Sequence, residues 1–229
     1  MVAVSQFTRS LALQRYPVDI RVVFNGVDLD ELDPGEIRLN DPPRVIFAGR
    51  FVPQKDPLQL VRSLAEVKDL PWTCSLLGDG ALRGAVEQEI TRLGLQERFS
   101  LPGWVTPEQV IEGFRRSDIL FMPSRVEGLP VVGVQATAMG LALVLSRAGG
   151  NVDLVDGVND AGRGDNGYLV DLARPQGFGG ALRQLLSSPE MLLAARRSSR
   201  RVALKFDLHA VVQSYDQIFS RVVNGKRIK

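Results

Sequence analysis

The sequence predicts an α/β fold, a doubly wound parallel sheet of about six strands with helices on both faces. Three observations carry this. Short β-branched apolar runs alternate with longer amphipathic stretches, the pattern of βαβ units. Most of those runs are too uniformly apolar to face water, as parallel strands covered on both sides are. The 229 residues, 45% hydrophobic and 24% charged, are enough for one large domain with a sizeable core.

Taken in order, strands are predicted over 20–24 (IRVVF), 44–48 (RVIFA), 73–77 (TCSLL), 98–101 (RFSL), 119–122 (ILFM), 142–146 (ALVLS) and 168–170 (YLV). The helices between them carry their own punctuation. Thr106 reads as a cap, Pro107 as the first helical residue and Gln109 as the closing side of a capping box, with Val110, Ile111 and Phe114 as the buried stripe. Ser188-Pro189 repeats that logic before a helix over about 190–204. Asp207 is expected to cap a last helix whose Val211, Val212, Tyr215, Ile218, Phe219 and Val222 share one face. The acidic, proline-containing segment 28–43 reads as a connector between a short N-terminal piece, 1–27, and the main domain, 44–206. Residues 207–229 form the C-terminal helix, ending in GKRIK, which is expected to fray.

Composition removes several functions. No stretch approaches the roughly 20 apolar residues of a membrane span, and no basic residues precede an apolar run at the start, so secretion and membrane insertion are not expected. Cys74 is the only cysteine and His209 the only histidine. That excludes an internal disulfide and the Cys/His zinc spacings, points to a reducing cytoplasmic setting, and makes histidine-based nucleophilic catalysis a poor fit. No metal is expected. A net charge of +2, with no aromatic residues interleaved among the arginines, argues against nucleic acid.

In a doubly wound sheet, ligands bind beyond the carboxyl ends of the strands. Four such junctions stand out. After 44–48, Gly49 permits close approach, and Arg50 and Lys55 straddle a helix start where they can meet one diphosphate; otherwise they are a solvated pair beside a turn. After 73–77, Gly78-Asp79-Gly80 lacks the third glycine of a dinucleotide fingerprint and reads first as a tight turn with close backbone approach. A nicotinamide-dependent oxidoreductase would need a complete G-x-G-x-x-G after the first strand, and the Gly49 loop does not provide it. After 98–101, Trp104 and Val105 offer a flat face to a nucleobase, or a packing residue at a rim. After 119–122 comes the most specific string, from Glu127-Gly128-Leu129-Pro130-Val131 to Gln135 and Gly140. A carboxylate there precedes a helix opening at about Leu129, so the free N–H groups of Gly128, Leu129 and Val131 can take phosphate oxygens, while Pro130 has no N–H to leave unpaired. Gln135, two turns on, is expected on the sheet-facing side, where a buried amide needs a partner such as a diol.

This string resembles the E-x7-E signature of the retaining, nucleotide-sugar-dependent glycosyltransferases of the GT-B fold, the "glycosyl transferases group one" family. The flanks are similar too: Asn25-Gly26-Val27-Asp28, Gly49-Arg50 through Lys55, Gly78-Asp79-Gly80, Ala148-Gly149-Gly150 with Asp153, and Asn166-Gly167-Tyr168-Leu169-Val170. The resemblance implies a Rossmann-like donor domain, one half of a GT-B enzyme of glycan biosynthesis, that binds a UDP- or GDP-linked sugar without a metal. It implies that Arg50 and Lys55 hold the diphosphate, that Glu127 reaches sugar hydroxyls, and that Gln135 takes the ribose. Gly49, Gly78, Gly128, Leu129, Pro130 and Val131 would line the donor, and Trp104-Val105 would face the base.

Two departures from the pattern have consequences. Gln135 replaces the family's second glutamate, and Asp153 its later one. The acceptor-binding half of such an enzyme has no counterpart in the chain. Residues 1–27 resemble the tail of that half, and the last helix the element that crosses back to it. The chain is therefore expected to bind the donor yet transfer hexose slowly or not at all, with a glycan, lipid or small-molecule acceptor held by the absent domain. Apolar surface over 7–16 and 208–222 invites self-association. The alternative is a non-catalytic nucleotide-binding module in which Gln135 marks lost chemistry. Finally, Arg196, Arg197, Arg200, Arg201 and Lys205 make one helix basic, either a solvated face or a peripheral contact with anionic lipid at the inner face of a membrane.

Overall fold

The computed structural model describes residues 1–223. Seventeen elements of regular structure follow one another in the chain: β1 (Val2–Ala3), α1 (Gln6–Arg15), β2 (Arg21–Val22), β3 (Arg44–Ala48), α2 (Pro57–Ala65), β4 (Thr73–Leu77), α3 (Arg83–Arg92), β5 (Phe99–Gly103), α4 (Pro107–Arg115), β6 (Ile119–Met122), α5 (Val131–Ala138), β7 (Ala142–Ser146), β8 (Arg163–Gly164), β9 (Gly167–Val170), α6 (Gly177–Leu186), α7 (Pro189–Ala203) and α8 (Leu208–Val223). The main sheet has the order β5-β4-β3-β6-β7-β9-β8. Its first six strands are parallel, and β8 pairs antiparallel to β9.

The chain winds outward from β3 through β4 to β5, returns to the centre at β6, and winds the other way through β7 to β9. The reversal between β3 and β6 is the topological switch point, the position in such sheets where ligands bind beyond the strand ends. Every residue of β6 and β7 is buried, which is why both read as continuous apolar runs. Phe47, Phe51, Phe114, Phe121 and Phe178 are wholly buried between sheet and helices, and Trp72 donates its indole N–H to Val67 O at 2.9 Å.

The capping box at α4 forms as read, with Gln109 N donating to Thr106 Oγ1 at 3.3 Å and Thr106 N to Gln109 Oε1 at 2.8 Å. Ser188 caps α7 through Met191 N at 3.2 Å, and Asp207 accepts from His209 N at 3.3 Å as α8 begins. Other expectations are corrected. The strand predicted over 20–24 is shorter, Arg21–Val22, and pairs parallel with Val2–Ala3 in a two-stranded sheet apart from the main one. α5 opens at Val131 rather than Leu129, because Pro130 sits in extended backbone at the cap. The face expected on α8 forms and, as expected for 208–222, is left largely exposed: only Ile218 is buried, and Val212, Phe219 and Val222 face outward. The GKRIK end lies outside the described residues.

Segment 28–43 does more than connect. Leu32 is buried, and Asn40 N and Arg44 N both donate to the buried carboxylate of Asp118 at the foot of β6. Asp118 also accepts from Arg196 Nη1 of α7 at 2.6 Å, and Arg196 reaches Arg38 O and Gly140 O as well. Burial pushes the Arg196 guanidinium down from its ordinary pKa, and the Asp118 carboxylate opposes that shift. Arg200 donates to Ala138 O at 2.6 Å, and Lys205 pairs with Asp156. The basic run of α7 is therefore divided: Arg196 is buried and Arg200 partly so, while Arg197, Arg201 and, just beyond the helix, Lys205 remain exposed.

Candidate functional site

The loops that leave β3 and β6 meet above the switch point. Lys55 Nζ lies 2.6 Å from Glu127 Oε1, and their side chains are only 17% and 6% exposed. Three further bonds join the same two loops. Arg125 N donates to Gln54 O at 2.7 Å, Gln54 Nε2 donates to Val126 O at 3.0 Å, and the Arg125 guanidinium lies 2.8 Å from Asp56 Oδ2. Asp56 holds a left-handed backbone with φ 47° and caps α2 by accepting from Gln59 N at 3.3 Å. Aspartate is among the few side-chain-bearing residues that adopt this conformation readily. One residue thus turns the chain, starts the helix and fixes the facing loop.

On the β4 side, the Gly49 loop is laced to the next one, with Gly49 N donating to Leu77 O and Phe51 N to Asp79 O. Gly78 has φ +130°, and a Cβ there would stand 2.1 Å from Gly49 O. Its missing side chain is spent on this backbone contact, which is the tight-turn reading of the sequence. Gly78 N donates to Gly103 O at 2.9 Å, which sets Trp104 beside the same loop. Trp104 is 68% exposed, so it does not pack at a rim, and its ring is open to a planar ligand.

On the β7 side, a Cβ on Gly149 or Gly150 would lie 1.7 Å from the carbonyl oxygen of Glu127 or Gly128, and Gly150 N donates to Glu127 O at 3.2 Å. Only backbone can stack this closely, so the two glycines hold the Glu127 loop from behind. Below it, Asn151 Nδ2 donates to Ser146 O and Oγ at 3.1 Å, and Ser146 Oγ donates to Ser124 O. Ser124 Oγ and Asn151 Oδ1 are buried there without an acceptor or donor among the described residues.

The N–H groups of Gly128, Leu129 and Val131 have no acceptor among the described residues, and they open at the start of α5 above Glu127. Asn25 Nδ2 donates to Leu129 O at 3.2 Å and holds this corner in place. Arg50 is exposed, without an acidic partner among the described residues. Gln135 is half-exposed rather than buried, and its amide makes no bond within the described residues. The expected partner is then a matter of an open amide, not of burial. Asp153 is directed elsewhere: its carboxylate accepts from Gln6 N at the start of α1 at 3.0 Å, and burial raises its pKa above the ordinary value.

The structure therefore brings Lys55 onto Glu127 beside Gly128, Leu129, Pro130 and Val131, with Arg50 exposed on the same β3 loop, Gln135 on the adjoining helix and Gly49, Gly78, Trp104 and Val105 along the β4–β5 flank. Sequence reasoning missed Gln54, Asp56 and Arg125, whose bonds set the spacing of the two loops. The juxtaposed aspartate and arginine lie 69 residues apart, and nothing local marks them as partners. Chemically the switch point offers a fixed carboxylate, two cations and a row of free N–H groups, the equipment for a hydroxylated, multiply anionic ligand. Among the described residues, no group of three or more Asp, Glu, His or Cys side chains is placed to hold a metal ion.

Known proteins share this architecture. A glycosyltransferase from Rickettsia africae superposes with a TM-score of 0.83 at 20% identity, over 97% of this chain and 63% of that one. Anabaena HepE, solved in complex with UDP and glucose, superposes with a TM-score of 0.80 at 22% identity, over 96% and 62%. In sequence, the chain is 30% identical over 243 residues to the D-inositol 3-phosphate glycosyltransferase of Segniliparus rotundus, covering 98% of this chain and 53% of that protein. It is 28% identical over 222 residues to the 2-deoxystreptamine glucosyltransferase of Streptomyces kanamyceticus, covering 91% and 56%. The chain thus spans about half the length of the curated relatives it matches. The model of the family described as glycosyl transferases group 1 matches residues 30–202, the whole of the main sheet and the helices that cover it. With sheet order, switch-point loops and sequence in agreement, the chain belongs to the glycosyl transferases group 1 family.

Proposed function

We propose that the β3–β6 switch point binds a UDP- or GDP-linked hexose and that, with a second domain, the chain transfers the sugar to an acceptor with retention of anomeric configuration. The observation that carries this is the Lys55–Glu127 pair at the switch point, flanked by Arg50 and the free N–H groups of Gly128, Leu129 and Val131. Anabaena HepE, of the same fold, has been solved with UDP and with UDP-glucose, which supports a nucleotide-sugar donor here.

In this reading the donor diphosphate takes Lys55 from Glu127 and adds Arg50. Both cations then face the charge that develops on the diphosphate as the glycosidic bond breaks, so no metal is needed to stabilise the leaving group. Glu127, released from Lys55, accepts from sugar hydroxyls. Gln135 meets the ribose, and the base lies against Trp104-Val105. The second domain supplies the acceptor, a glycan, lipid or small molecule. Residues 1–27 and α8 belong to its interface, and the chain alone turns over slowly or not at all. The setting is cytoplasmic, in keeping with the single buried Cys74, whose thiol pKa burial pushes up. Among the described residues no helix is long and apolar enough to cross a membrane.

Isothermal titration with UDP tests the site. Lys55→Met removes a charge-assisted bond to the diphosphate and is expected to weaken UDP binding by about tenfold to a hundredfold. Glu127→Gln frees Lys55 and is expected to leave UDP affinity equal or higher while weakening UDP-glucose relative to UDP. Unchanged UDP affinity in Lys55→Met would refute the assignment. A second reading, a nucleotide-binding module without catalysis, is favoured by the neutral Gln135. It predicts that UDP binds but that supplying the acceptor half in trans gives no sugar transfer.

A further inference from the structure

Many of the described arginines have committed their guanidinium. Arg62 and Arg92 clasp Glu89, Arg183 holds Asp69, Arg125 holds Asp56, and Arg196 is buried on Asp118. Arg147, Arg163 and Arg174 have not. They come from three separate places, the end of β7, β8, and the turn before α6, yet all three line one cleft of about 870 Å³. Among the described residues none of them has a carboxylate within ion-pair distance, although Asp160 and Asp171 line the same walls. Asp171 instead accepts from Ala173 N at 2.9 Å within its own turn.

The cleft is built by specific local structure. Asn159 Oδ1 accepts from Ala161 N and Arg163 N, folding the segment before β8 into a tight hairpin. Gly162, at φ +82°, would place a Cβ 2.3 Å from Leu169 O, so the hairpin closes on β9 only because that side chain is missing. Across from it, α6 turns Gly177, Gly180, Ala181 and Gln184 to the cleft, positions that share one helix face. A Cβ on Gly180 would meet nothing within 4 Å, so this wall stands back from its surroundings.

The position matters as much as the charge. β7 and β9 lie on the far side of β6 from β3, so the cleft sits along the sheet from Arg50 and Lys55 and is separate from them. Guanidinium groups form bidentate bonds with phosphate, and three around one cavity can share its oxygens, while Asp160 is placed to accept from hydroxyls. We propose that this cleft is a second ligand site, distinct from the donor site, which takes a small phosphorylated sugar.

The test is an amide NMR titration of the 229-residue chain with glucose 6-phosphate, and in parallel with inorganic phosphate, each with and without saturating UDP. The expected shifts fall on residues 159–163 and 177–184 and persist with UDP bound, with glucose 6-phosphate the tighter of the two because its hydroxyls engage Asp160. Gly180→Glu places a carboxylate in open space within the cleft and is expected to weaken the sugar phosphate by about tenfold or more, leaving UDP affinity unchanged. The triple variant Arg147→Ala, Arg163→Ala, Arg174→Ala is expected to abolish binding. Sugar-phosphate shifts that vanish on adding UDP, or on Lys55→Met, would assign them to the donor site and overturn the proposal. So would equal affinity in the parent and Gly180→Glu, or no binding of either probe to the parent.

Discussion

A buried glutamate and a partly buried lysine 2.6 Å apart hold one another in place, and neither is free for a ligand until something displaces it. A diphosphate competes for Lys55 with two phosphates and leaves Glu127 a new set of donors, so the pair can open without stranding a buried charge. Gln135 presents the complementary case, a half-exposed amide with nothing to bond. A carboxylate accepts two charge-assisted bonds from a diol where a neutral amide accepts one bond from a hydroxyl, a difference of about 1–2 kcal/mol. Gln135→Glu is therefore expected to tighten UDP about tenfold by titration calorimetry, and an unchanged affinity would place the ribose elsewhere. Glu127 and Gln135 could be proposed together from spacing alone, because both lie on one local turn-and-helix unit. The pairing of Lys55 with Glu127 was not legible, since 72 residues separate them and only the strand order brings them together. Asp56 was missed for a different reason: an aspartate before a proline reads as an ordinary cap, and its left-handed backbone leaves no trace in the sequence.

At the scale of elements, α2 and α3 are joined across one side of the sheet by Glu89, which receives Arg92 from its own helix and Arg62 from the neighbouring one. Bonds from Arg92 first and Arg62 second hold its carboxyl down to about 2 from an ordinary 4.5. A carboxyl shifted down on folding stabilises the fold fully above its unfolded pKa and loses that contribution as pH falls through the folded one. The window here is about 4.5 down to about 2. Both arginines are more than half exposed, so solvent screening limits the contribution to roughly 1 kcal/mol. Glu89→Gln is expected to lower Tm by a few degrees at pH 6 and by much less at pH 2.5, as followed by circular dichroism. An equal deficit at both pH values would show that Glu89 acts through packing instead. The six parallel strands and the caps of α4 and α7 were readable because apolar runs and cap side chains are local signals. β1 and β8 were not, as each is two residues long and exists only through its partner strand, whereas β2 lies within the strand read over 20–24.

At the scale of the whole molecule, the unburied faces are as informative as the core. Val212, Tyr215, Phe219 and Val222 fall on one side of α8 at helical spacing, with Tyr215 and Phe219 rings stacked 6.0 Å apart. Val212 is 58% and Phe219 61% exposed, in keeping with the expectation that 208–222 leaves apolar surface uncovered. Hydrophobic spacing specifies the face and not what lies against it, so the sequence names the stripe without naming its cover. Since the chain spans about half the length of its curated relatives, the proposed cover is the second domain. An apolar stripe of this kind left in water is expected to find a substitute, and a second copy of the chain is the one always present at equal concentration. Sedimentation velocity is then expected to show a weight-average mass that rises with concentration, and Val212→Ser with Phe219→Ser to hold it at one chain without lowering Tm, since both side chains are exposed. Adding the acceptor half in trans is expected to suppress the same association. Association that survives the double serine variant would place the contact on another surface and remove α8 from the proposed domain interface.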